Sequence, residues 1–581
     1  MEAAKKWLAQ PENRQLLCLL VCGLLLRGAI AYWLPPGFDE GYYYLYTLHP
    51  DWSYFDHPLL VALTTGFGVW LTGDVSAFTI RLGTLLLHTG SLLLLYLTAV
   101  RLFSRQAAIV TLAIASLIPI FQLGFGVLTL PDSPLMFFWT ATLYIAVCEF
   151  FGTRDPKREK NTAAAPASSA PVAYHPTYRL AIAGFLVGLA CLGKYHGLAL
   201  GFGVVGFCLT SPRHRAALFS PWTLASVGLF GLAVLPIVIW NLQYDWVSLR
   251  FQSGRAVPDR GYSLLDLLVT FLAGVAYLFP TFGFPLWWAS GKAIFEQWGQ
   301  KTAEAQRRGE MSEWQGDQVE GEETRSPTLT QLKTQNSLAA RREALLKTLF
   351  ILWLSLPLML TFTLMGGYRS ILPTWAMPGF WGVTLLLGQQ AASWRQRTIK
   401  RWLWGSGLII TSLLLVALLH VTIGTLQKSS RYAWFGGVLS PSSDASTQLI
   451  DIRQLRRGFA DSIAITAAMK EADFLFTNDL YLAGQLGMAI APLKPKPITC
   501  FDKDLRGFAF WSTRDQWVKQ DGLLVTSAVQ SQSTVKQYQD YFKDIQKIAE
   551  IPIQRGGAIV QMIEIYQCKT LLKPYPRPYG K

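Results

Sequence analysis

The run QLLCLLVCGLLLRGAIAYWL, Gln15 to Leu34, decides the fold class. It is apolar apart from Arg27 and long enough, at about 20 residues, to cross a bilayer as a helix. Directly after it come Gly37-Phe38-Asp39-Glu40-Gly41-Tyr42-Tyr43-Tyr44 and then Ser53-Tyr54-Phe55-Asp56-His57-Pro58. Paired carboxylates, a histidine and an aromatic cluster therefore stand where the chain leaves lipid for water. A plain connecting loop would not need that chemistry. The segment reads as an active site built on a membrane surface.

Composition supports the reading. Of 581 residues, 51% are apolar and only 15% charged, with 21 Trp, whereas soluble domains carry about 25% charge. Apolar runs recur through the first three quarters of the chain, near 15–34, 77–100, 107–127, 133–151, 179–193, 197–210, 221–240, 264–290, 347–366, 372–389 and 402–424. They predict a polytopic α-helical membrane protein of about 11 spans. The net charge of +15 does not indicate nucleic acid, because the basic residues gather in the loops between apolar runs. One alternate set of loops (1–14, 101–106, 151–179, 211–216, 292–347, 390–401) holds most of the Lys and Arg. The other set (35–76, 128–132, 194–196, 241–263, 367–371) holds few. The positive-inside rule places the first set in the cytoplasm. It predicts a multi-pass protein of the cell (inner or plasma) membrane with a cytoplasmic N-terminus. The chain beyond residue 425 is then extracytoplasmic, as are Asp39, Glu40, Asp56 and His57. No small-residue cleavage site follows Gln15 to Leu34, so this run reads as a retained first span.

The expected domains are a membrane domain over 1–424, with 35–76 as its outer catalytic loop, and an α/β domain over 425–581. Residues 152–178 and 292–346 read as cytoplasmic spacers, the first of low complexity and the second charged and disordered. In the tail, Phe474 to Thr477, Pro497 to Phe501, Gly522 to Thr526 and Ala558 to Tyr566 read as strands, and Leu480 to Met488 as a helix. No GxGxxG or P-loop supports nucleotide binding there. Five of the seven Cys lie in or beside spans as apolar fillers; Cys500 and Cys568 are free to pair if the tail faces an oxidising compartment.

Asp39 and Glu40 are neighbours, so on a helix they point about 100° apart and do different work. One suits a general base for an incoming hydroxyl; the alternative for Glu40 is a cap on the helix through Tyr42 to Leu48. Leu59 to Leu71 is short for a span and suits an interfacial helix, which puts Asp56 and His57 at headgroup depth, where a phosphate could meet them; alternatively the pair merely ends the loop before Pro58. Asp132, in Pro131-Asp132-Ser133-Pro134, reads equally as an N-cap or as a second carboxylate of the site. Lys194, in Gly193-Lys194-Tyr195-His196-Gly197, interrupts an apolar region and either faces a polar cavity or snorkels. The aromatic and polar loop from Asn241 to Arg255 suits sugar and phosphate recognition, or an interfacial belt, as does Tyr368-Arg369. All these charged candidates fall in one set of loops.

Taken together, the motifs resemble those of the bacterial dolichyl-phosphate-mannose–protein mannosyltransferase family (family 39), relatives of the lipid A aminoarabinose transferase. They are Asp39-Glu40-Gly41-Tyr42-Tyr43, Tyr54-Phe55-Asp56-His57-Pro58, Pro131-Asp132-Ser133-Pro134-Leu135, Leu192-Gly193-Lys194-Tyr195, Trp240-Asn241 through Arg250-Phe251-Gln252, Pro373-Thr374-Trp375-Ala376-Met377-Pro378 and Phe476 to Leu486. The resemblance implies a GT-C type glycosyltransferase that moves a sugar, hexosyl or pentosyl, from a polyprenyl-phosphate carrier to an acceptor hydroxyl on the outer face. The acceptor is an envelope lipid, a polysaccharide or a protein. Asp39 then takes the place of the catalytic carboxylate, and Asp56, Asp132 and Lys194 that of polar residues lining the cavity. His57 stands where the aminoarabinose branch has lysine.

The resulting expectation is inverting transfer by single displacement, with Asp39 and Glu40 catalytic. Tyr43, Tyr54, Asp56, His57, Asp132, Lys194, Tyr195, Asn241, Arg255 and Arg369 bind substrate. No cofactor is required, although Asp39, Asp56 and His57 would suit a divalent cation. A flippase for a lipid-linked sugar and a non-catalytic assembly subunit are the alternatives.

Overall fold

In a computed structural model, residues 9–152, 174–314, 329–493 and 495–580 are described. All eleven apolar runs are helical. The helices are α1 (Pro11–Trp33), α2 (Phe38–Leu48), α3 (Leu60–Thr72), α4 (Leu82–Leu102), α5 (Arg105–Leu117), α6 (Asp132–Phe150), α7 (Arg179–Gly193) and α8 (Leu198–Thr210). They continue with α9 (Pro221–Gln243), α10 (Val247–Gly254), α11 (Leu264–Leu278), α12 (Pro280–Trp314), α13 (Leu329–Met365), α14 (Met377–Ala392) and α15 (Gln396–Ile423). Among the described residues, six helices are by themselves long and apolar enough to cross a membrane, or seven if the bent pair α11–α12 is one span. The remaining apolar runs form shorter helices.

Local chemistry sets several boundaries. Pro221 opens α9 at a position where its missing N–H costs nothing, and Ser263 caps α11 by accepting from the Asp266 amide. Left-handed Gly73 and Gly424 close α3 and α15. The run expected to cross at 264–290 bends by 115°, because Phe279 is left-handed (φ 68°) and Pro280 cannot continue the ladder. Likewise 107–127 is no single helix: Ile118 is extended ahead of Pro119, and one π-turn, Ile120–Gly124, follows. The 292–346 spacer is largely helical, a correction. α12 and α13 run into it from both sides, supported at the ends by the i,i+4 pairs Lys292–Glu296 and Glu343–Lys347; residues 315–328 lie outside the described residues. In the other spacer, 153–173 lie outside them too, whereas Tyr174 and Thr177 are tied to Glu149.

The tail is an α/β domain. Helices α16 (Ile452–Asp461) and α17 (Ile463–Glu471) precede β1 (Phe474–Thr477), α18 (Leu480–Ile490), β2 (Ile498–Cys500), β3 (Gly522–Ser527), α19 (Ala528–Tyr538), β4 (Phe542–Arg555) and β5 (Ala558–Leu571). The sheet order is β2-β1-β3-β5-β4; β1 is parallel to β2 and β3, and β5 antiparallel to β3 and β4. Strand β4 escapes the sequence reading because Ile545, Ile548 and Ile551 have helical spacing. A register shift between Lys547 and Ala549 reconciles them with an edge strand, where Pro552 is tolerated. Cys500 and Cys568 are both free thiols. β1 and β3 separate their strands, a gap of about 14 Å, so the pairing left open by the sequence does not form.

One hydrophobic core fills the helical bundle around Leu95, Leu112, Phe121, Trp139, Phe350 and Trp381. A second joins α2 to the tail: Tyr42 to Tyr46, Tyr54 and Val61 pack with Leu455, Leu475, Leu486, Ile563 and Ile565. The expected catalytic loop thus shares its core with the α/β domain. Backbone meets backbone at Gly41 and Gly484. A Cβ on Gly41 would lie 2.7 Å from the Gly484 backbone, and one on Gly484 only 2.3 Å from that of Gly41.

Candidate active site

Helix α2 starts after Pro35-Pro36-Gly37 and sends its first two acidic residues in different directions, as their spacing requires. Glu40 turns inward. Its carboxylate accepts from Arg81 Nε (2.8 Å) and Nη2 (2.5 Å), from the Gly37 amide (2.6 Å) and from the Thr129 amide (2.9 Å). Arg81 spends its other protons on the carbonyls of Ala31, Leu34 and Pro35. Both side chains are fully buried. Glu40 is therefore the anchor of the loop and has no lone pair left for substrate, which corrects the expected catalytic role in favour of the capping alternative.

Asp39 points the other way. It is half-buried, and no hydrogen bond or ion pair to a described residue occupies it. Burial raises its pKa to about 6, against the pull of Arg506 and Lys194. That makes a stronger base than an ordinary carboxylate, still mostly ionised at neutral pH.

Asp56 is almost wholly buried and belongs to a network. Tyr42 Oη (3.2 Å) and Tyr46 Oη donate to its Oδ1, and Arg506 Nη1 to its Oδ2 (3.2 Å). Burial opposes its charge, but His57 beside it, the Arg506 guanidinium and the Tyr46 hydroxyl together outweigh that and keep its pKa below the usual carboxylate range. His57 is held neutral, its pKa pushed down to about 3 by burial despite Asp56 beside it. Its ring meets Tyr43 edge-on at 5.6 Å, and its Nδ1 has no partner among the described residues. A cationic grip by His57 is thereby ruled out at neutral pH, and what it offers is a neutral hydrogen-bonding edge. With Asp56 committed to two phenols and a guanidinium, the suggested cation set of Asp39, Asp56 and His57 is not assembled. No trio of His, Cys, Asp or Glu among the described residues is placed to hold a metal.

Lys194 follows the end of α7 in extended backbone and reaches Asp132, the first residue of α6, at 2.9 and 3.0 Å. The two answer each other's charge, and Asp132 is neither a cap nor a free carboxylate. Tyr195 Oη shares a hydrogen bond with Ser248 Oγ (2.8 Å). Arg255 stacks over Phe251 (4.5 Å) and Trp375 (5.9 Å) without a hydrogen bond or ion pair to a described residue. Its pKa is lowered by burial and by Arg506 nearby.

Three expected ligands are structural instead. Tyr54 stacks on Tyr46 (3.8 Å) and gives its hydroxyl to the Tyr46 carbonyl (3.0 Å). Asn241 joins α9 to α10, donating to the Ile237 carbonyl (2.9 Å) and accepting from the Leu249 amide (3.3 Å). Arg369 binds the carbonyls of Gly254 (3.0 Å) and Val257 (2.8 Å), and so fixes the turn that carries Arg255. For Tyr54 and Asn241 the backbone takes the polar atoms that substrate recognition would need; Arg369 gives Nη1 to the backbone, and its Nε faces the Asp259 carboxylate at 3.8 Å.

The residue that the sequence reading missed is Arg506. It lies in the segment after β2, in Phe501-Asp502-Lys503-Asp504-Leu505-Arg506-Gly507-Phe508. A left-handed backbone (φ 41°) turns it toward α2; Asp504 braces its Nε at 3.0 Å, and the next amide, Gly507, donates to Tyr42 Oη at 2.9 Å. A signal existed: charges and aromatics follow the carboxyl end of a parallel strand, where open α/β sheets place their ligand-binding loops.

Residues 56–150 match the family described as dolichyl-phosphate-mannose-protein mannosyltransferase. A search of curated protein sequences gave no match. Among solved structures, the chain is similar to ArnT from Cupriavidus metallidurans in the apo state, with a TM-score of 0.55 and 15% identity, over 97% of this chain and 98% of that one. It is also similar to the same organism's ArnT bound to undecaprenyl phosphate, with a TM-score of 0.53 and 14% identity, over 95% and 97%. Both likenesses extend through the α/β domain, so the fold match covers the whole assembly around Asp39. The motifs had pointed the same way: residues 56–150 are similar to that mannosyltransferase family, and the chain has the fold of ArnT over almost its whole length.

Proposed function

We propose that this protein transfers a sugar from a polyprenyl-phosphate carrier to an acceptor hydroxyl, with inversion, at the extracytoplasmic face of the membrane. The observation that carries the proposal is Asp39: an unpartnered, half-buried carboxylate of raised pKa beside two cations, Lys194 and Arg506. Asp39 takes the proton of the acceptor hydroxyl as its oxygen attacks the anomeric carbon. The bond from that carbon to the phosphate oxygen breaks, and the electron pair leaves with the carrier phosphate. Arg255, whose guanidinium is otherwise unengaged, and Arg506 meet the growing negative charge, with Lys194 placed by Asp132. Tyr43, Tyr195 and the neutral His57 are the hydrogen-bonding groups for the sugar. No nucleotide is needed, because the carrier already activates the sugar.

The match to a mannosyltransferase family and the polyprenyl phosphate bound by ArnT support this donor class. The test uses radiolabelled polyprenyl-phosphate sugar and purified protein in liposomes. Label should appear in a new covalent product, and Asp39→Asn should slow its formation by about 10²–10⁴-fold, the contribution of a positioned base. Label that crosses the membrane without changing its covalent partner would make the protein a flippase. An undiminished rate for Asp39→Asn would remove the base.

A further inference from the structure

The ends of two spanning helices and the α/β domain line a cavity of about 370 Å³, and none of Asp39, Asp56, Lys194, Arg255 and Arg506 is among its lining residues. Tyr32 and Trp33 line it at the end of α1, Val421 and Thr422 at the end of α15, and Arg453 and Arg456 on α16. Both helices are long and apolar enough to span a bilayer, and they are neighbours, since Leu418 packs on the cluster of Ile30, Ala31 and Leu85. The cavity therefore opens at the level where the chain emerges from lipid. Exposed Tyr32 and Trp33 mark that level, as interfacial aromatics do.

The charges inside are unevenly satisfied. Asp451 spends its carboxylate on the Arg453 amide (2.9 Å) and on Gln454 Nε2 (3.3 Å) as the cap of α16. Arg555, also on the wall, is answered by Asp444 at 3.4 Å. Arg456 reaches only carbonyls, those of Val75, Met488 and Ala489. Arg453 lies over the Tyr32 ring (5.3 Å), donates from Nη2 to the Tyr32 carbonyl at 3.5 Å and is otherwise exposed. Neither Arg453 nor Arg456 has an ion-pair partner among the described residues. Asp74, exposed at the rim, likewise pairs with no described cation. A cation seated on an interfacial aromatic, a carboxylate lining the same cavity and walls built from two span ends match one kind of ligand.

We propose that this cavity binds the headgroup of a bilayer phospholipid. Its phosphate rests on Arg453 and its acyl chains run down beside Trp33. An amine in the headgroup, as in phosphatidylethanolamine, would face Asp74. The volume is within the range of small-ligand pockets. The bound lipid would join the first span, the last span and α16, and thereby hold the α/β domain on the bundle. The site is separate from the proposed transfer chemistry and does not depend on it.

Native mass spectrometry of the full-length protein, delipidated and titrated with phosphatidylethanolamine, tests the inference. One lipid should bind tightly, and Arg453→Gln should weaken it about tenfold, the loss expected for one charge-assisted hydrogen bond. Arg453→Lys should recover part of the affinity. Arg453 is exposed, so the variant should keep the wild-type elution volume on gel filtration. Equal lipid binding by Arg453→Gln would overturn the proposal. So would displacement of the lipid by millimolar inorganic phosphate, which would make this a free-anion site, or by polyprenyl phosphate, which would assign the cavity to the donor.

Discussion

Arg506 and Asp56 are 450 positions apart in the sequence and 3.2 Å apart in the fold. Between them they fasten the α/β domain to the loop that carries Asp39. Asp56 is buried and accepts two phenols besides the guanidinium, while Arg506, half-buried, is braced by Asp504. Removing one member leaves the other charged in a dry site, at a cost of about 3–5 kcal/mol. Arg506→Met should therefore lower the melting temperature and expose the 502–511 segment to protease while the helical bundle stays folded. Double substitution with Asp56→Asn should recover part of the loss. If the double variant is no more stable than Arg506→Met alone, the two residues do not act on each other.

Asp39 carries a stability cost that reveals its protonation. Its pKa is about 6 in the folded chain and near 3.9 when unfolded. The folded state thus binds more protons between those values, and stability falls as pH rises from about 4 through 6. Above pH 7 the charged form costs on the order of 1–3 kcal/mol. Asp39→Asn should accordingly raise the melting temperature at pH 8 and leave it nearly unchanged at about pH 3, below both pKa values. In the wild type, kcat/KM should rise with pH through an apparent pKa near 6. A stability difference between the two proteins that does not change with pH would mean that Asp39 is solvated like any surface carboxylate.

How much of this arrangement the sequence discloses depends on how local each signal is. Length and apolarity mark the helical segments, because a membrane span is a property of consecutive residues. Asp39, Asp132 and Lys194 stand out for the same reason: each is a charge set against an apolar background. Glu40 was ambiguous because its partner, Arg81, sits at the start of another apolar run, and nothing local to either residue announces the other. Arg506 was invisible because it lies in a soluble domain rich in charges, where one more arginine carries no contrast. Strand β4 was lost to a bulge that breaks the two-residue period. Pairings across hundreds of residues, and irregularities within one element, are what only the fold supplies.

Gly41 and Gly484 test whether the α2–α18 contact sets the geometry of the site. At 2.3–2.7 Å from the opposing backbone, an added Cβ has no flexible neighbour to push aside. Gly484→Ala should destabilise the protein by about 1–3 kcal/mol, as overpacking does elsewhere. It should also reduce transfer, because Asp39 lies two residues before Gly41 on the displaced helix. Thermal unfolding and turnover should fall together. A variant that is stable and fully active would show that the helices can separate without moving Asp39.

Arg255 and Arg369 separate binding from positioning. Arg255 makes no hydrogen bond or ion pair through its side chain to a described residue and touches only the Phe251 and Trp375 rings, so Arg255→Met should cost no more than about 1 kcal/mol of stability, the worth of a cation–π contact. Its loss should appear at the donor: if the guanidinium grips the phosphate equally in the ground and transition states, KM rises and kcat stays; if it serves mainly the departing phosphate, kcat falls. Arg369 touches the turn at Gly254 and Val257 rather than the cavity. Arg369→Met should reproduce the Arg255→Met kinetics in weaker form and add nothing once Arg255 is already changed, because its effect passes through that residue. Additive losses in the double variant would mean that Arg369 reaches the donor by itself, and the turn would then be no more than its neighbour.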